Sequence, residues 1–218
     1  MLDQRKPIAF VIPLVGALAM VAPAISSAAD IPTSSPIVID RSGSYRLQGN
    51  IIVQHQGNAI EILAPNVTLD LNGYSIIGNH SGIGIFSNVA EDITVVNGSV
   101  SAMGQAGIDL GGTMSCRIEK LHVTNSFGAG IISGHNCLLK DNTISWNGGP
   151  GIQFPPSDPF YPGPGMPGFG NNIINDNNGG NEYPQVEGSA IEIGTNVCGS
   201  TADCPSSAVG PALSPALW

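Results

Sequence analysis

Short apolar segments of one kind recur along the chain at nearly constant spacing. Each begins with Ala or Gly followed by an Ile, and they lie at residues 59–62, 82–85, 107–110, 130–133, 151–154 and 190–193. The marker isoleucines, at 60, 83, 108, 131, 152 and 191, are 23, 25, 23, 21 and 39 residues apart. A period of about 20 to 25 residues predicts a solenoid. Each repeat is too short to bury its apolar face alone and must stack on its neighbours.

The composition of the repeats predicts β-strands. The segments between Gly and Asn turns are short and rich in Ile, Val and Thr, which favours strands over helices. A second strand is predicted after each marker, at residues 67–71, 93–96, 117–121, 138–140 and 172–174. A further apolar position follows, at Ile76, Val100, Val123 and Ile144. We therefore expect three short strands per turn, each paired in parallel with the next turn.

An offset of 21 residues tests this register. It aligns Cys116 with Cys137, Ile118 with Leu139, Glu119 with Lys140, Lys120 with Asp141, and Val123 with Ile144. Apolar residues meet apolar ones and opposite charges meet twice, as stacked strands require. The corners hold Asn and Gly, which tolerate positive φ, and stacked Asn amides are expected to hydrogen-bond along the coil.

Three motifs carry a resemblance to a known family: GSYRLQGN at 43–50, NAIEI at 58–62 and NVTLDLNG at 66–73. The chain resembles the right-handed parallel β-helix repeat proteins of the pectate-lyase-like superfamily over about residues 36–193. The resemblance implies an all-β fold, a single right-handed parallel β-helix of about seven rungs. That family includes pectate lyases, polygalacturonases, surface proteins and phage tailspikes, so it leaves the function open. His135 stands in Gly-His-Asn rather than the Gly-His-Gly of polygalacturonases, whose Arg-x-Lys motif is missing.

The two ends differ from the repeats. Arg5 and Lys6 precede an apolar run over 8–24 and small residues at 26–29, which predicts a signal peptide at 1–29. The alternative, a membrane anchor, is disfavoured because prolines interrupt a run that is short for a span. We expect an exported protein, extracellular or periplasmic, with no membrane contact after cleavage. Residues 30–52 are predicted as an N-terminal cap of the β-helix domain 30–193, and 194–218 as a C-terminal cap or tail.

The net charge limits the possible partners, and the cysteines indicate the compartment. From Asp30 onward the chain holds fifteen acidic and five basic residues, a net charge of −10. Nucleic acid is therefore excluded as a partner, because phosphate binding needs a positive patch. Four cysteines in an exported chain indicate disulfides. Cys198 and Cys204 form a short clip, whereas Cys116 and Cys137 form either a disulfide between adjacent rungs or a buried column of thiols.

One candidate catalytic pair lies on the marker strands. The residue after each marker Ile points outward, which gives the column Glu61, Gly84, Asp109, Ile132, Gln153 and Glu192. Glu61 and Asp109 would be two rungs, about 9.6 Å, apart. That separation is near that of the acid and base of an inverting glycosidase. The alternative is that both carboxylates only solvate the surface.

The 39-residue step contains a loop at 155–170 that is dense in Pro and aromatic residues. Long loops often carry binding surfaces, so Phe154, Phe160, Tyr161 and Phe169 are candidate ligand-binding residues. The alternative is a flap that is disordered or packs on itself.

Two functions follow as expectations. The first is a non-catalytic module that binds a polysaccharide or a cell-surface glycan, or serves a structural role. The second is a polysaccharide lyase or glycoside hydrolase acting on a neutral or calcium-bridged glycan. No cofactor is predicted. The negative charge leaves calcium binding open, but no loop has recognisable ligand spacing, and the four histidines form no metal motif. The ligand and the oligomeric state are left open.

Overall fold

The computed structural model describes residues 28–89, 91–156, 165–181, 184–199 and 204. Its elements in chain order are β1 (Ala29–Ile31), β2 (Ile37–Ile39), β3 (Gly43–Leu47), β4 (Ile51–Ile52), β5 (Ile60–Ile62), β6 (Val67–Asp70), β7 (Ser75–Ile77), β8 (Ile85–Ser87), β9 (Ile93–Ser101), β10 (Ile108–Asp109), β11 (Cys116–Thr124), β12 (Ile131–Ile132), β13 (Cys137–Lys140), β14 (Thr143–Ser145), β15 (Ile152–Gln153), β16 (Gly168–Gly170), β17 (Ile173–Asn175), α1 (Asn178–Asn181), β18 (Val186–Glu187), β19 (Ile191–Glu192) and β20 (Val197–Cys198).

These strands wind into a parallel β-solenoid of about six turns. The first sheet stacks seven strands in the order β2, β5, β8, β10, β12, β15 and β18. The second sheet has two halves. The first half runs β1, β3, β6, β9, β11, β13, β16 and β19, and the second half contains β4, β7, β14, β17 and β20. The nine-residue strands β9 and β11 pass through both halves. Each turn therefore has three strand positions, as predicted.

The column of marker residues is confirmed at its centre and differs at two positions. Ile108, Ile131 and Ile152 pair in succession at the predicted register. Ile85 rather than Ile83 pairs with Ile108, so the marker at Ile83 is wrong. Residues 82–85 read Gly-Ile-Gly-Ile, so either Ile83 or Ile85 fits the repeat as its marker, and both isoleucines are buried.

The second misplaced marker lies beyond the long step. Ile191 pairs with Gly168 in the second sheet, and Val186 takes the expected place in the first sheet. The preceding coil begins with β15, and its second-sheet strand is β16, which lies inside the segment predicted as a loop. The segment predicted at 172–174 forms β17, which pairs with β14 in the second half.

The offset of 21 residues gives the correct register between β11, β13 and β14. Cys116 pairs with Cys137, Glu119 with Lys140, and Val123 with Ile144. The ion pairs differ from those expected. Glu119 Oε1 lies 2.8 Å from Arg117 Nη1 on its own strand, and Lys140 Nζ lies 3.8 Å from Asp141 Oδ2. Long side chains reach along a strand as easily as across it, so register does not determine exposed ion pairs.

Two ladders of buried asparagines hold the corners. Asn142, Asn172 and Asn196 form one ladder. The Oδ1 of Asn172 accepts hydrogen bonds from the backbone N–H and Nδ2 of Asn142, and the Oδ1 of Asn196 accepts them from the same groups of Asn172. Asn147 and Asn177 form the other, which ends on the amide of Gln185. These bonds satisfy backbone groups that the bent chain leaves unpaired. The expected hydrogen bonding of Asn amides along the coil is confirmed.

Both predicted disulfides are present. Cys116 and Cys137 lie in adjacent coils with their Cα atoms 4.3 Å apart, so the pair is a disulfide and not a column of thiols. Cys198 and Cys204 form the second disulfide, at the last described coil. Both members of the first pair are buried in the apolar interior.

The N-terminal segment joins the solenoid directly. Within residues 30–52, β2 and β3 pair in register with β5 and β6 of the next coil. Residues 1–27 of the predicted signal peptide lie outside the described residues. Within the part of the chain that the structure describes, no helix is long and apolar enough to cross a membrane.

Candidate functional site

The predicted carboxylate pair lies in one outward column of the first sheet. Phe86 pairs with both Glu61 and Asp109, so the two acids are two coils, about 9.6 Å, apart as expected. Ile132 and Gln153 lie in that column as predicted, and two positions differ from the prediction. Phe86 replaces Gly84 because the frame of that coil is shifted, and Glu187 replaces Glu192, which lies in the second sheet.

Asp109 has a structural contact of its own. Its Oδ1 accepts a hydrogen bond of 2.9 Å from the backbone N–H of Gly111. This is an Asx-type turn, which shapes the chain after β10. Glu61 and Asp109 are both half-buried. The aromatic ring of Phe86 lies between their positions along the column, so the carboxylates face a common surface without touching each other.

The two described aromatic residues at the long step are buried. Phe154 and Phe169 are 3% and 0% exposed, with ring centroids 5.3 Å apart. Phe169 lies in β16 and packs in the core, so neither ring is available to a ligand on the surface, and their assignment as binding residues is corrected. Phe160 and Tyr161 lie outside the described residues.

An exposed aromatic cluster occurs elsewhere, at the turn that follows the second half of the second sheet. We call His80, Phe127 and Trp146 the aromatic corner. Phe127 and Trp146 are 63% and 64% exposed. The imidazole of His80 stacks on the ring of Phe127, with centroids 4.8 Å apart and planes 12° from parallel.

The backbone beneath Trp146 has an unusual conformation. Trp146 has φ 58°, and Ala102, Asn125 and Asp176 have φ between 55° and 58° at the corresponding corners of other coils. Such a conformation costs a residue with a Cβ about 1 to 2 kcal/mol, and Gly, Asn and Asp are the usual occupants. The geometry of this corner does not require a large exposed ring, since Ala, Asn and Asp occupy it in other coils.

Glycines let the rings approach across the coils. A Cβ on Gly104 would collide with the backbone of His80, and one on Gly148 with the backbone carbonyl of Phe127. Because these coils present no side chain at those positions, the ring of Phe127 can lean toward His80. The rings thus meet even though Gly104 intervenes between their backbones.

A shallow depression of about 340 Å³ lies at this corner. The aromatic corner lines it together with Asn125, Ser126 and Gly148. None of these six residues is an acid, a lysine or an arginine. The Oγ of Ser126 is itself buried, so the site combines aromatic faces with the amide of Asn125, a mixture of apolar and polar groups that is typical of ligand sites.

The sequence contained only part of the signal for this site. An offset of 21 places Trp146 opposite Asn125 and Gly148 opposite Phe127, which marks both aromatics as corner residues. The contact of His80 with Phe127 spans an intervening coil and has no signature in pairwise register.

Among the residues that the structure describes, no three His, Cys, Asp or Glu side chains lie close enough together to hold a metal ion.

Comparison with known proteins gives a family. The family model described as a right handed beta helix region matches residues 35–200. No curated protein and no solved structure matches the chain significantly.

Proposed function

The chain belongs to the right-handed β-helix family, and from that premise we propose that it is an exported, non-catalytic module that binds a neutral carbohydrate at the aromatic corner. The observation that carries the proposal is the exposure of Phe127 and Trp146 on a corner whose backbone disfavours Trp. Exposed apolar rings beside polar groups are characteristic of binding sites.

The chemistry of the corner fits a sugar. The apolar C–H face of a pyranose packs on an aromatic ring, and its hydroxyls require donors and acceptors nearby. The rings of Trp146 and Phe127 provide the first contact, and the exposed amide of Asn125, which lines the same depression, provides a donor and an acceptor. Since no charged carboxylate, lysine or arginine lines it, the corner favours a neutral glycan.

Charge and cysteines support the remaining parts of the proposal. A net charge of −9 for the full chain opposes nucleic acid and polyanionic glycans. Two disulfides are typical of proteins of oxidising compartments, which favours export.

The test is binding of the purified chain to a panel of neutral polysaccharides, such as cellulose, xylan, mannan and laminarin, by pull-down and calorimetry. Trp146→Ala and Phe127→Ala should each weaken binding at least tenfold. Phe86→Ala removes a half-buried aromatic from the outward column of the first sheet and should leave binding unchanged. Binding that survives Trp146→Ala, or no binding to any member of the panel, would refute the proposal.

A second candidate is glycan cleavage by Glu61 and Asp109. Their shared outward column, with Phe86 between them, is the observation that favours it, and their separation of about 9.6 Å is close to the upper limit of about 9.5 Å for inverting enzymes. The turn bond of Asp109 with Gly111 offers a structural reason for that acid. Release of reducing ends that is lost in both Glu61→Gln and Asp109→Asn would replace the binding proposal by this one.

A further inference from the structure

A hydroxyl-rich face lies beside the aromatic corner. In the second half of the second sheet, Ser99, His122 and Thr143 pair in succession, and so do Ser101, Thr124 and Ser145. We call these six residues the hydroxyl face. The residues between them, Val100, Val123 and Ile144, are fully buried. Strand alternation directs both polar columns away from the interior. Ser145 is only 7% exposed, and the other five residues are half-buried or exposed.

The hydroxyl face and the aromatic corner are continuous. Asn125 follows Thr124 directly, and Trp146 follows Ser145 directly. Each coil therefore presents its strand hydroxyls and then its corner residue to neighbouring parts of one surface. A ligand on Trp146 lies next to the end of the hydroxyl face.

The dimensions favour an extended ligand. The aromatic corner reaches from the coil of His80 to the coil of Trp146, three steps of about 4.8 Å or about 14 Å along the axis. The hydroxyl face extends over the last three of the same four coils. A single monosaccharide is shorter than this surface, whereas a linear oligosaccharide matches its length.

The charge of the surface also selects the ligand. Five of the six residues of the hydroxyl face carry a neutral hydroxyl, and His122 is the one titratable member. Hydroxyls donate and accept hydrogen bonds, as the sugar hydroxyls of a neutral glycan require. Ser75 and Ser99 already form such a bond, with their Oγ atoms 2.7 Å apart.

We propose that the ligand of the aromatic corner is a linear neutral glycan that lies along the solenoid axis, stacks on Trp146 and Phe127, and hydrogen-bonds to Thr124 and Thr143. This inference rests on the proposed function and adds the length, direction and hydroxyl contacts of the ligand. Affinity should therefore increase with chain length until the ligand covers the four coils.

The experiment measures calorimetric affinities for glucose, xylose and mannose and for the trisaccharides and hexasaccharides of cello-, xylo-, manno- and laminari-series. Thr124→Val and Thr143→Val remove one hydroxyl each with little change in shape. Each should weaken hexasaccharide and trisaccharide binding roughly three- to tenfold, the effect of one hydrogen bond, and should weaken monosaccharide binding less. Thr68→Val is the matched control, because Thr68 is an exposed strand threonine in the first half of the sheet.

The outcomes separate the two levels of the argument. Equal affinity for the monosaccharides and the trisaccharides, or unchanged hexasaccharide binding in both threonine variants, overturns the axial arrangement even if Trp146→Ala abolishes binding. Unchanged binding in Trp146→Ala, or no binding of any sugar, overturns the proposed function and this inference together. Far-UV circular dichroism of each variant verifies that the fold is retained.

Discussion

Replacing Trp146 by glycine or by alanine tests the proposal that Trp146 serves binding although the backbone at this corner makes it unfavourable for stability. Both variants lose the same ring and differ only by one methyl group at φ 58°. In an ordinary strand or helix, Gly is less stable than Ala by about 0.5 to 1 kcal/mol. At positive φ the Cβ costs about 1 to 2 kcal/mol, which exceeds that difference. We therefore expect Trp146→Gly to be more stable than Trp146→Ala by about 0.5 to 1 kcal/mol.

Both variants lose the same buried surface of the Trp146 ring, so the difference between their unfolding free energies reports the backbone effect alone. Guanidinium unfolding followed by circular dichroism measures the difference in midpoint. Ala102→Gly, at φ 58° in another coil, should be stabilising for the same reason. Thr124→Gly and Thr124→Ala, within a strand, should show the opposite order. If the alanine variant at 146 is as stable as the glycine variant, the backbone does not disfavour Trp there, and the reasoning from strain to function fails.

Three further predictions concern the scaffold. Asn147→Ala should lower the free energy of unfolding by about 3 kcal/mol, because it leaves the buried N–H of Ser126 and carbonyl of Val123 without their amide partner; chemical denaturation measures this, and a loss below about 0.5 kcal/mol would contradict the role of the ladder. Replacing both Cys116 and Cys137 by Ala should cost about 3 kcal/mol for a separation of 21 residues, seen as a lower unfolding midpoint. Because Cys198–Cys204 remains, reductant should still lower the midpoint of this variant, but by less than it lowers that of the unchanged protein, and an equal decrease in both would contradict the role of the first disulfide. Phe169→Ala should cost about 3 to 5 kcal/mol in thermal unfolding, and an unchanged midpoint would show that this ring does not belong to the core.

Residues that face the interior recur with a nearly constant period, and much of the fold could therefore be predicted from the sequence. The 21-residue offset placed Cys116 against Cys137 correctly because apolar and cysteine side chains must share one dry interior. The same reasoning failed at Ile83, where alternating Gly and Ile fit either frame and only the neighbouring coil selects Ile85. It also failed at Phe169, since a Pro-rich and Gly-rich segment conceals the short strand β16.

The candidate site was harder to predict because outward residues carry no period. Phe127 and Trp146 belong to different positions of their corners. The adjacent coils have Gly104 and Gly148 beside Phe127, and Asn125 and Asp176 beside Trp146. The site becomes visible only when exposure, the positive φ of Trp146 and the stacking of His80 on Phe127 are combined. Composition directed attention to the aromatic loop at 155–170, whose one described aromatic residue, Phe169, is buried.

The asparagine ladders have a consequence for how this protein can change in evolution. Asn142 and Asn172 each accept from the coil before and donate to the carbonyl groups or amides around them, so one more identical member would find the same partners on both sides. A duplication of one whole repeat in the gene would insert a coil without leaving an amide unpaired, whereas a fractional insertion would break both ladders. The solenoid can therefore lengthen only in increments of one coil, and descendants with a longer solenoid would differ from this chain by whole repeats.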